Sequence, residues 1–393
     1  GVDFIHVSGG NTIKRGSSMP APGTSAAPHA HSSEEIKKHV NIPVATVARI
    51  NEPWMAEELI ANEKCDMCMI GRPNLCDSEF ANKAFEGKVD DIRPCIGCGR
   101  CLTGIMMGKR ISCTVNPSVE DDTIAPAETK KKVLVIGGGP TGMEAAYVAK
   151  KRGHEVVLCE KSNELGGQLR LAAVPIAKQE LCKVIKFMIR RLDHEGVEVR
   201  LNTEVTKEML ENEFKDYEIV CSSGATPKEI PPFKVFKNWM TADDVLSGKK
   251  YPGRNIVVLG GGSVGCETAD YLAPLINDLF PMNRKITLLE MTNNLMPGEG
   301  GAAKSRLTQR LMQKGVRIEL NAQVTSVDED SITYVKEGVE HKITEADTLI
   351  FAVGYAPKKV EVEGENVHYI GDCEKVGTLK DAITNAHEIA KNI

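Results

Sequence analysis

Lys131-Lys132-Val133-Leu134-Val135-Ile136-Gly137-Gly138-Gly139-Pro140-Thr141-Gly142 is the stretch on which the fold turns. Its unbroken apolar run from Val133 to Ile136 suits a strand buried on both faces of a parallel sheet. The run leads directly into Gly-x-Gly-x-x-Gly and then into helix-forming residues from Met143 to Lys151. A glycine fingerprint alone says little, but between a buried strand and a helix its backbone N–H groups are placed to meet a pyrophosphate. The next strand, His154 to Cys159, ends in Glu160, where a carboxylate can accept hydrogen bonds from a ribose diol. The same grammar returns 123 residues later: Asn255 to Leu259, then Gly260-Gly261-Gly262-Ser263-Val264-Gly265, a helix from Cys266 to Leu272, and a strand from Lys285 to Leu289 ending in Glu290. Two nucleotide-binding units are therefore predicted, with Gly137, Gly139 and Gly142 in one loop and Gly260, Gly262 and Gly265 in the other. No Arg stands in Met291-Thr292-Asn293-Asn294 to pair with a 2′-phosphate, which favours NADH over NADPH; an Arg from another loop, such as Arg317, is the alternative.

Further along, Asp347 to Val353 reads as a strand ending in Gly354. Another strand, at His368-Tyr369-Ile370, runs into Gly371-Asp372 ahead of a helix from Lys380 to Asn392. An Asp in that place suits a cofactor's ribityl or phosphate region and equally suits a helix N-cap. Together the three segments resemble the two-dinucleotide-binding flavoproteins, in which an NAD(P) domain is nested inside an FAD domain. The resemblance implies that Glu160 holds the FAD ribose, that Leu165-Gly166-Gly167-Gln168 lines the flavin side, and that Gly371 and Asp372 close the site. The C-x4-C pair of that family's disulfide reductases is missing, so no dithiol relay is expected. Cys159, Cys221, Cys266 and Cys373 read as buried small residues.

Upstream, Ala125-Pro126-Ala127-Glu128-Thr129 reads as a linker, preceded by a loop-rich stretch from Asp90. That stretch holds Cys95-x2-Cys98-x2-Cys101 and, after eleven residues, Cys113. Three closely spaced thiolates with a remote fourth suit a 4Fe-4S cubane; a zinc knot, more usually built from separated C-x2-C pairs, and plain cysteines are the alternatives. Cys65 and Cys68 lie where a strand begins and read as core, and His29 and His31 as part of a solvent loop. Between residues 1 and about 80, strand-like runs at Phe4 to Val7, Pro43 to Ala48 and Cys68 to Gly71 alternate with helical segments in βαβ rhythm.

The order of these parts resembles the multidomain branch of the Old Yellow Enzyme superfamily, which contains 2,4-dienoyl-CoA reductase, enoate reductase and trimethylamine dehydrogenase. The residues that carry the likeness are Pro43 to Ile50, Cys65 to Pro73 and Ile92 to Cys98, followed by both glycine loops. The resemblance implies an α/β chain: the C-terminal remnant of a (β/α)8 flavin barrel over 1–90, a 4Fe-4S segment and linker over 91–129, an FAD domain over 130–238 and 355–393, and an NAD(P) domain over 239–354. It assigns Arg49, Gly71 and Arg72 to FMN, and Cys95, Cys98, Cys101 and Cys113 to the cluster. Thr141, Glu160, Gln168, Lys178 and Val205 join the glycine loop around FAD. The implied activity is reduction of an activated C=C bond in a 2-enoate, dienoyl-CoA or enone, with electrons passing from NADH through FAD and the cluster to FMN. Amine dehydrogenation, or electron transfer to a partner protein, is the rival expectation.

A complete barrel takes roughly 250 residues, and only about 80 precede the cysteines. The chain opens inside a strand-like run, so an N-terminal region carrying the proton donor is expected to lie outside it. Within its 393 residues the composition is that of an ordinary globular protein, 41% hydrophobic and 26% charged. A net charge of -5 with no basic block gives no sign of a nucleic-acid or anionic-membrane surface. No window is apolar enough for a membrane span, and the scattered cysteines do not form a secreted disulfide framework. A cytoplasmic enzyme acting on a small unsaturated molecule, as a possible homo-oligomer, is the expectation.

Overall fold

The computed structural model describes residues 1–9, 20, 22–120, 123–274, 284–299, 301–362, 364 and 366–393. Contacts divide the chain into one unit of residues 1–170, 180–224 and 358–393 and another of residues 171–179 and 225–357.

The first unit begins with β1 (Ile5–Val7), α1 (Ala30–Lys37), β2 (Val44–Val47), α2 (Pro53–Ala61) and β3 (Met67–Met69). The three strands pair in parallel in the order β1-β2-β3, as the βαβ rhythm predicts. Pro53 opens α2, where a fixed φ costs nothing and the missing N–H is not needed. Helix α1 begins at Ala30, so His31 is helical rather than in a loop. Ser33, inside the helix, is fully buried, and its hydroxyl donates to the Ala30 carbonyl at 2.8 Å. After α3 (Arg72–Cys76) and α4 (Phe80–Phe85) the chain enters the cysteine stretch. That stretch contains a helix, α5 (Arg100–Met106), reached through Gly99 at φ +76°; Cys101 is therefore helical.

From the linker onward come β4 (Lys132–Ile136), α6 (Pro140–Lys151), β5 (Glu155–Cys159), α7 (Gln168–Ala172), α8 (Glu180–Glu195), β6 (Glu198–Arg200), α9 (Lys207–Glu211) and β7 (Glu218–Cys221). The second unit then contributes β8 (Ala225–Pro227), β9 (Trp239–Thr241), α10 (Ala242–Leu246), β10 (Asn255–Leu259), α11 (Ser263–Leu272), β11 (Lys285–Leu289), α12 (Gly301–Gln313) and β12 (Arg317–Glu319). Strands β13 (Gln323–Val327), β14 (Ile332–Lys336), β15 (Val339–Ile343), β16 (Thr348–Phe351) and β17 (Tyr355–Pro357) follow. Finally β18 (Val367–Tyr369) and α13 (Leu379–Ala390) return to the first unit.

Among the described residues each unit is built on a five-stranded parallel sheet, β18-β7-β4-β5-β6 in the first and β12-β11-β10-β16-β9 in the second. The strands feeding the two glycine loops, β4 and β10, are central in their sheets, which explains their unbroken apolar runs. The contact boundaries fall at 224/225 and 357/358, not at the sequence-read 238/239 and 354/355, because β8 pairs antiparallel with β17 inside the second unit. The sequence reading missed the antiparallel sheet β13-β14-β15.

Candidate functional site

In the first unit β4 and β5 end in register, Ile136 opposite Cys159, and the Gly137 N–H donates to the Cys159 carbonyl at 2.8 Å. In the second the Gly260 N–H donates to Leu289 at 2.9 Å. Gly137 and Gly260 turn at φ +106° and +110°, a left-handed region that favours glycine. At Gly142 and Gly265 a Cβ would stand 1.9 Å from the carbonyl oxygens of Gly137 and Gly260 respectively, so loop and helix close together only without side chains. Gly139 and Gly262 differ. Their φ values of −72° and −67° suit any residue, and nothing lies within 4 Å of where a Cβ would be. The protein itself gives no reason for glycine there.

The two acidic residues adopt matching poses. One oxygen of Glu160 accepts the Gly138 N–H at 2.6 Å, and the other accepts the N–H and hydroxyl of Ser162 at 2.8 and 2.7 Å. Glu290 does the same with the Gly261 N–H at 2.6 Å and with Thr292 at 2.8 and 2.7 Å. Each carboxylate is buried where its strand meets the loop. Arg317, the alternative partner for a 2′-phosphate, instead pairs with Glu319 at 2.7 Å.

Gly371, at φ +66°, packs against Thr141 at the start of α6: a Cβ there would stand 2.6 Å from the Thr141 hydroxyl. Gly167 packs likewise on the Gly139 backbone, and Gln168 opens α7 beside it. The N-cap of α13 is Thr378, in a reciprocal capping box with Asp381, so Asp372 is not the cap. Burial raises the Asp372 carboxyl, while the Gly377 N–H donates to it at 3.0 Å. Gly137, Gly139, Thr141, Gly142, Glu160, Gly167, Gly371 and Asp372 thus gather at one end of the first sheet. Two more residues are assigned to FAD by resemblance. Val205 is core, packed with Leu134, Ile136 and Cys159, and Lys178 is in the second unit, ion-paired with Glu267 of α11 at 2.6 Å. Burial raises the Glu267 carboxyl despite that cation.

In the N-terminal part of the first unit, Gly71 is the N-cap of α3 and Arg72 its first residue. Arg72 donates to the carbonyls of Pro20 at 3.1 Å and Gly97 at 3.2 Å. Arg49 is buried in an ion pair with Glu180 of α8, its guanidinium beside Gly97, and Asn51 donates to the Cys95 carbonyl at 3.2 Å. All three residues converge on the cysteine loop. Burial pushes the Cys95 thiol up to about 12 and raises Cys101. Cys113 is lowered to about 6 by a hydrogen bond with Cys76, reinforced by the Val115 and Asn116 N–H groups and opposed by burial. The Cys98 sulfur lies 3.2 Å from the Thr114 hydroxyl. Cys95 and Cys101 each interact electrostatically with Cys98 and Cys113. Yet among the described residues no three His, Cys, Asp or Glu side chains are arranged to hold a single metal ion. Cys65 and Cys68, 3.8 Å apart, belong to an apolar cluster with Ile50 and Leu59, as expected.

Two features escaped the sequence reading. Fully buried Cys76 has no spacing motif. Glu144 of α6 is buried against Arg191 of α8 at 2.5 Å and His387 of α13 at 3.1 Å. Burial pushes its carboxyl up, but the Arg191 charge and the bonds from His387 and Arg191 outweigh this and hold it at about 2.

The pyridine nucleotide-disulphide oxidoreductase family profile matches residues 131–372. Cinnamate reductase of Clostridium sporogenes is 34% identical over 373 residues, covering 92% of this chain and 55% of that protein. NADH oxidase of Thermoanaerobacter brockii is 34% identical over 415 residues, covering 100% and 62%. Among solved structures, a 2-naphthoyl-CoA reductase complexed with 2-naphthoyl-CoA superposes with a TM-score of 0.91 at 26% identity, covering all of this chain and 60% of that one. The chain thus spans about three-fifths of the length of such relatives. With two glycine loops in two parallel sheets and no C-x4-C pair, the chain belongs to the pyridine nucleotide-disulphide oxidoreductase family and has the pattern of an enoate reductase-like protein.

Proposed function

We propose that this chain is the NADH- and FAD-binding, electron-input part of a flavin and iron-sulfur enzyme that reduces an activated C=C bond, as in a 2-enoate, dienoyl-CoA or enone. The observation that carries this is the pair Gly139 and Gly262, glycines that no protein neighbour requires, each at the head of a helix where a pyrophosphate backbone would approach. The first loop, closed by Gly371 and Asp372 against Thr141, suits FAD. The second, with Glu290 and no Arg in Met291 to Asn294, suits NADH.

The chain's own residues bind and orient. Glu160 and Glu290, each accepting a glycine N–H, would accept hydrogen bonds from a ribose diol. Cys95 and Cys101, each interacting with Cys98 and Cys113, with the positive charge of Arg72 near Cys95 and that of Arg93 near Cys113, would supply the four thiolates of a 4Fe-4S cluster, which are spaced more widely than those around one ion. Arg49, Gly71 and Arg72, beside the same loop, suit the FMN phosphate, with β1 to β3 read as part of a flavin barrel. When bound, these groups would supply hydride acceptance from NADH, one-electron relay between the flavins, and hydride delivery to the alkene. The names of the relatives, a cinnamate reductase and a 2-naphthoyl-CoA reductase, support an unsaturated acid or thioester as substrate.

The test is an anaerobic assay of the full-length protein with NADH and a panel of enoates, enoyl thioesters and enones, alongside NADPH. The expected result is consumption of one NADH per double bond saturated, with NADPH slower. Flavin reduced by a secondary or tertiary amine and not by NADH would support the amine dehydrogenase reading instead.

A further inference from the structure

We propose that Asp243, oriented by Tyr355, takes the nicotinamide-side ribose of NADH, in the half of the dinucleotide opposite the one assigned to Glu290. This rests on reading Gly260 to Gly265 as the NADH loop.

Four strands of the second sheet end in one row: Leu289 of β11, Leu259 of β10, Phe351 of β16 and Thr241 of β9 are successive partners across it. A sheet of this kind binds its ligand outside the carboxyl ends of the strands, where the strand order reverses. That point lies between β10 and β16: from β10 the chain continues to β11 and β12 on one side, while β16 and β9 stand on the other. Glu290 directly follows β11. On the far side, Asp243 comes two residues after Thr241 and Tyr355 four after Phe351. Neighbouring strands are about 4.8 Å apart, so β9 stands roughly 14 Å from β11. Carboxylates carried by strands at that separation serve two riboses, one in each half of a dinucleotide.

The Asp243 carboxylate is open to a ligand. Its Oδ1 accepts the Tyr355 hydroxyl at 2.5 Å, and among the described residues no other hydrogen bond reaches it. The neighbouring Asp244 is engaged locally, in a reciprocal capping box with Thr241. Asp243 is half-buried, and burial raises its carboxyl against the Tyr355 hydrogen bond. A carboxylate short of water, with one oxygen bonded and the other open, gains from a second donor such as a ribose hydroxyl. Tyr355 is the positioning residue: its backbone is fixed opposite Pro227 by the pairing of β17 with β8, and its hydroxyl fixes the carboxylate.

The experiment measures, by titration calorimetry of the oxidised, FAD-loaded full-length protein, the affinities of three ligands. They are NAD+, AMP, which carries only the adenosine half, and the acetylpyridine analogue of NAD+, which lacks the amide N–H. Asp243→Ala is expected to weaken NAD+ about tenfold and Tyr355→Phe about threefold, both leaving AMP unchanged. Glu290→Ala should weaken NAD+ and AMP together. Unchanged NAD+ affinity in Asp243→Ala, or AMP weakened as much as NAD+, would overturn the proposal. A loss seen with NAD+ and absent with the analogue would overturn it too, by turning the carboxylate toward the ring amide. Should Asp243→Ala not fold, Tyr355→Phe, which keeps the carboxylate, decides by the same comparison. A parent that binds neither NAD+ nor AMP would refute the underlying NADH reading, and that outcome shows in the first titration, before any variant is compared.

Discussion

Glu160 and Glu290 were legible because each ends a strand that follows a glycine loop; their hydrogen bonds to Gly138 and Gly261 were not, since only folding brings residues 22 and 29 positions apart together. For Glu290 the expected consequence is a KM effect. Glu290→Ala should raise the KM for NADH about tenfold and narrow the preference over NADPH, because charge-assisted hydrogen bonds to the ribose are lost. Steady-state kinetics with both nucleotides check it, and an unchanged NADH KM would contradict the assignment. Glu144 was invisible to sequence reading: one acid in an alanine-rich helix resembles a solvated position, and its partners are 47 and 243 residues away. Its carboxyl, held at about 2 against an ordinary 4.5, contributes stability that is fully present above about pH 4.5 and is lost as pH falls toward 2. Glu144→Gln should therefore cost about 3 kcal/mol at pH 7 and flatten the acid side of the stability curve. Urea unfolding at pH 7, 4 and 3 measures both, and parallel parent and variant curves would refute the network.

At the scale of elements, the glycine loops separate what folding demands from what a ligand demands. Gly142→Ala and Gly265→Ala place a Cβ 1.9 Å from a carbonyl oxygen and should lower the melting temperature of the cofactor-free protein by several degrees or more. Gly139→Ala and Gly262→Ala, with open space ahead of them, should leave that temperature unchanged while weakening FAD and NADH binding respectively. Differential scanning fluorimetry of apo-protein, with flavin content and NADH affinity, tells the two classes apart; a large stability loss in Gly139→Ala would contradict the distinction. Strands β4, β5, β10 and β11 could be read from sequence because strands covered on both faces need unbroken apolar runs. The sheet β13-β14-β15 could not, since polar residues such as Gln323, Thr325, Glu340 and Lys342 dominate it and few positions, chiefly Val327, Ile332 and Tyr334, enter the core. Helix α5 was hidden by the glycines and cysteines around it.

For the whole molecule, the repeat at 123 residues proves to be two parallel-sheet units, and the chain leaves the first at Gly224 and returns at Lys358, whose N–H donates to the Gly224 carbonyl at 3.0 Å. The nesting was readable because Gly371-Asp372 stands so far beyond the second loop. The assignment of residues 171–179 to the second unit was not, because it depends on contacts such as Lys178 with Glu267. Among the described residues no helix is long and apolar enough to cross a membrane. The claim that electrons enter through this chain is tested most directly by anaerobic titration of the full-length protein with NADH while the flavin absorbance is followed. Bleaching of bound FAD at about one NADH per FAD is the expected result; FAD that is present yet stays oxidised in excess NADH would contradict electron input through the second glycine loop.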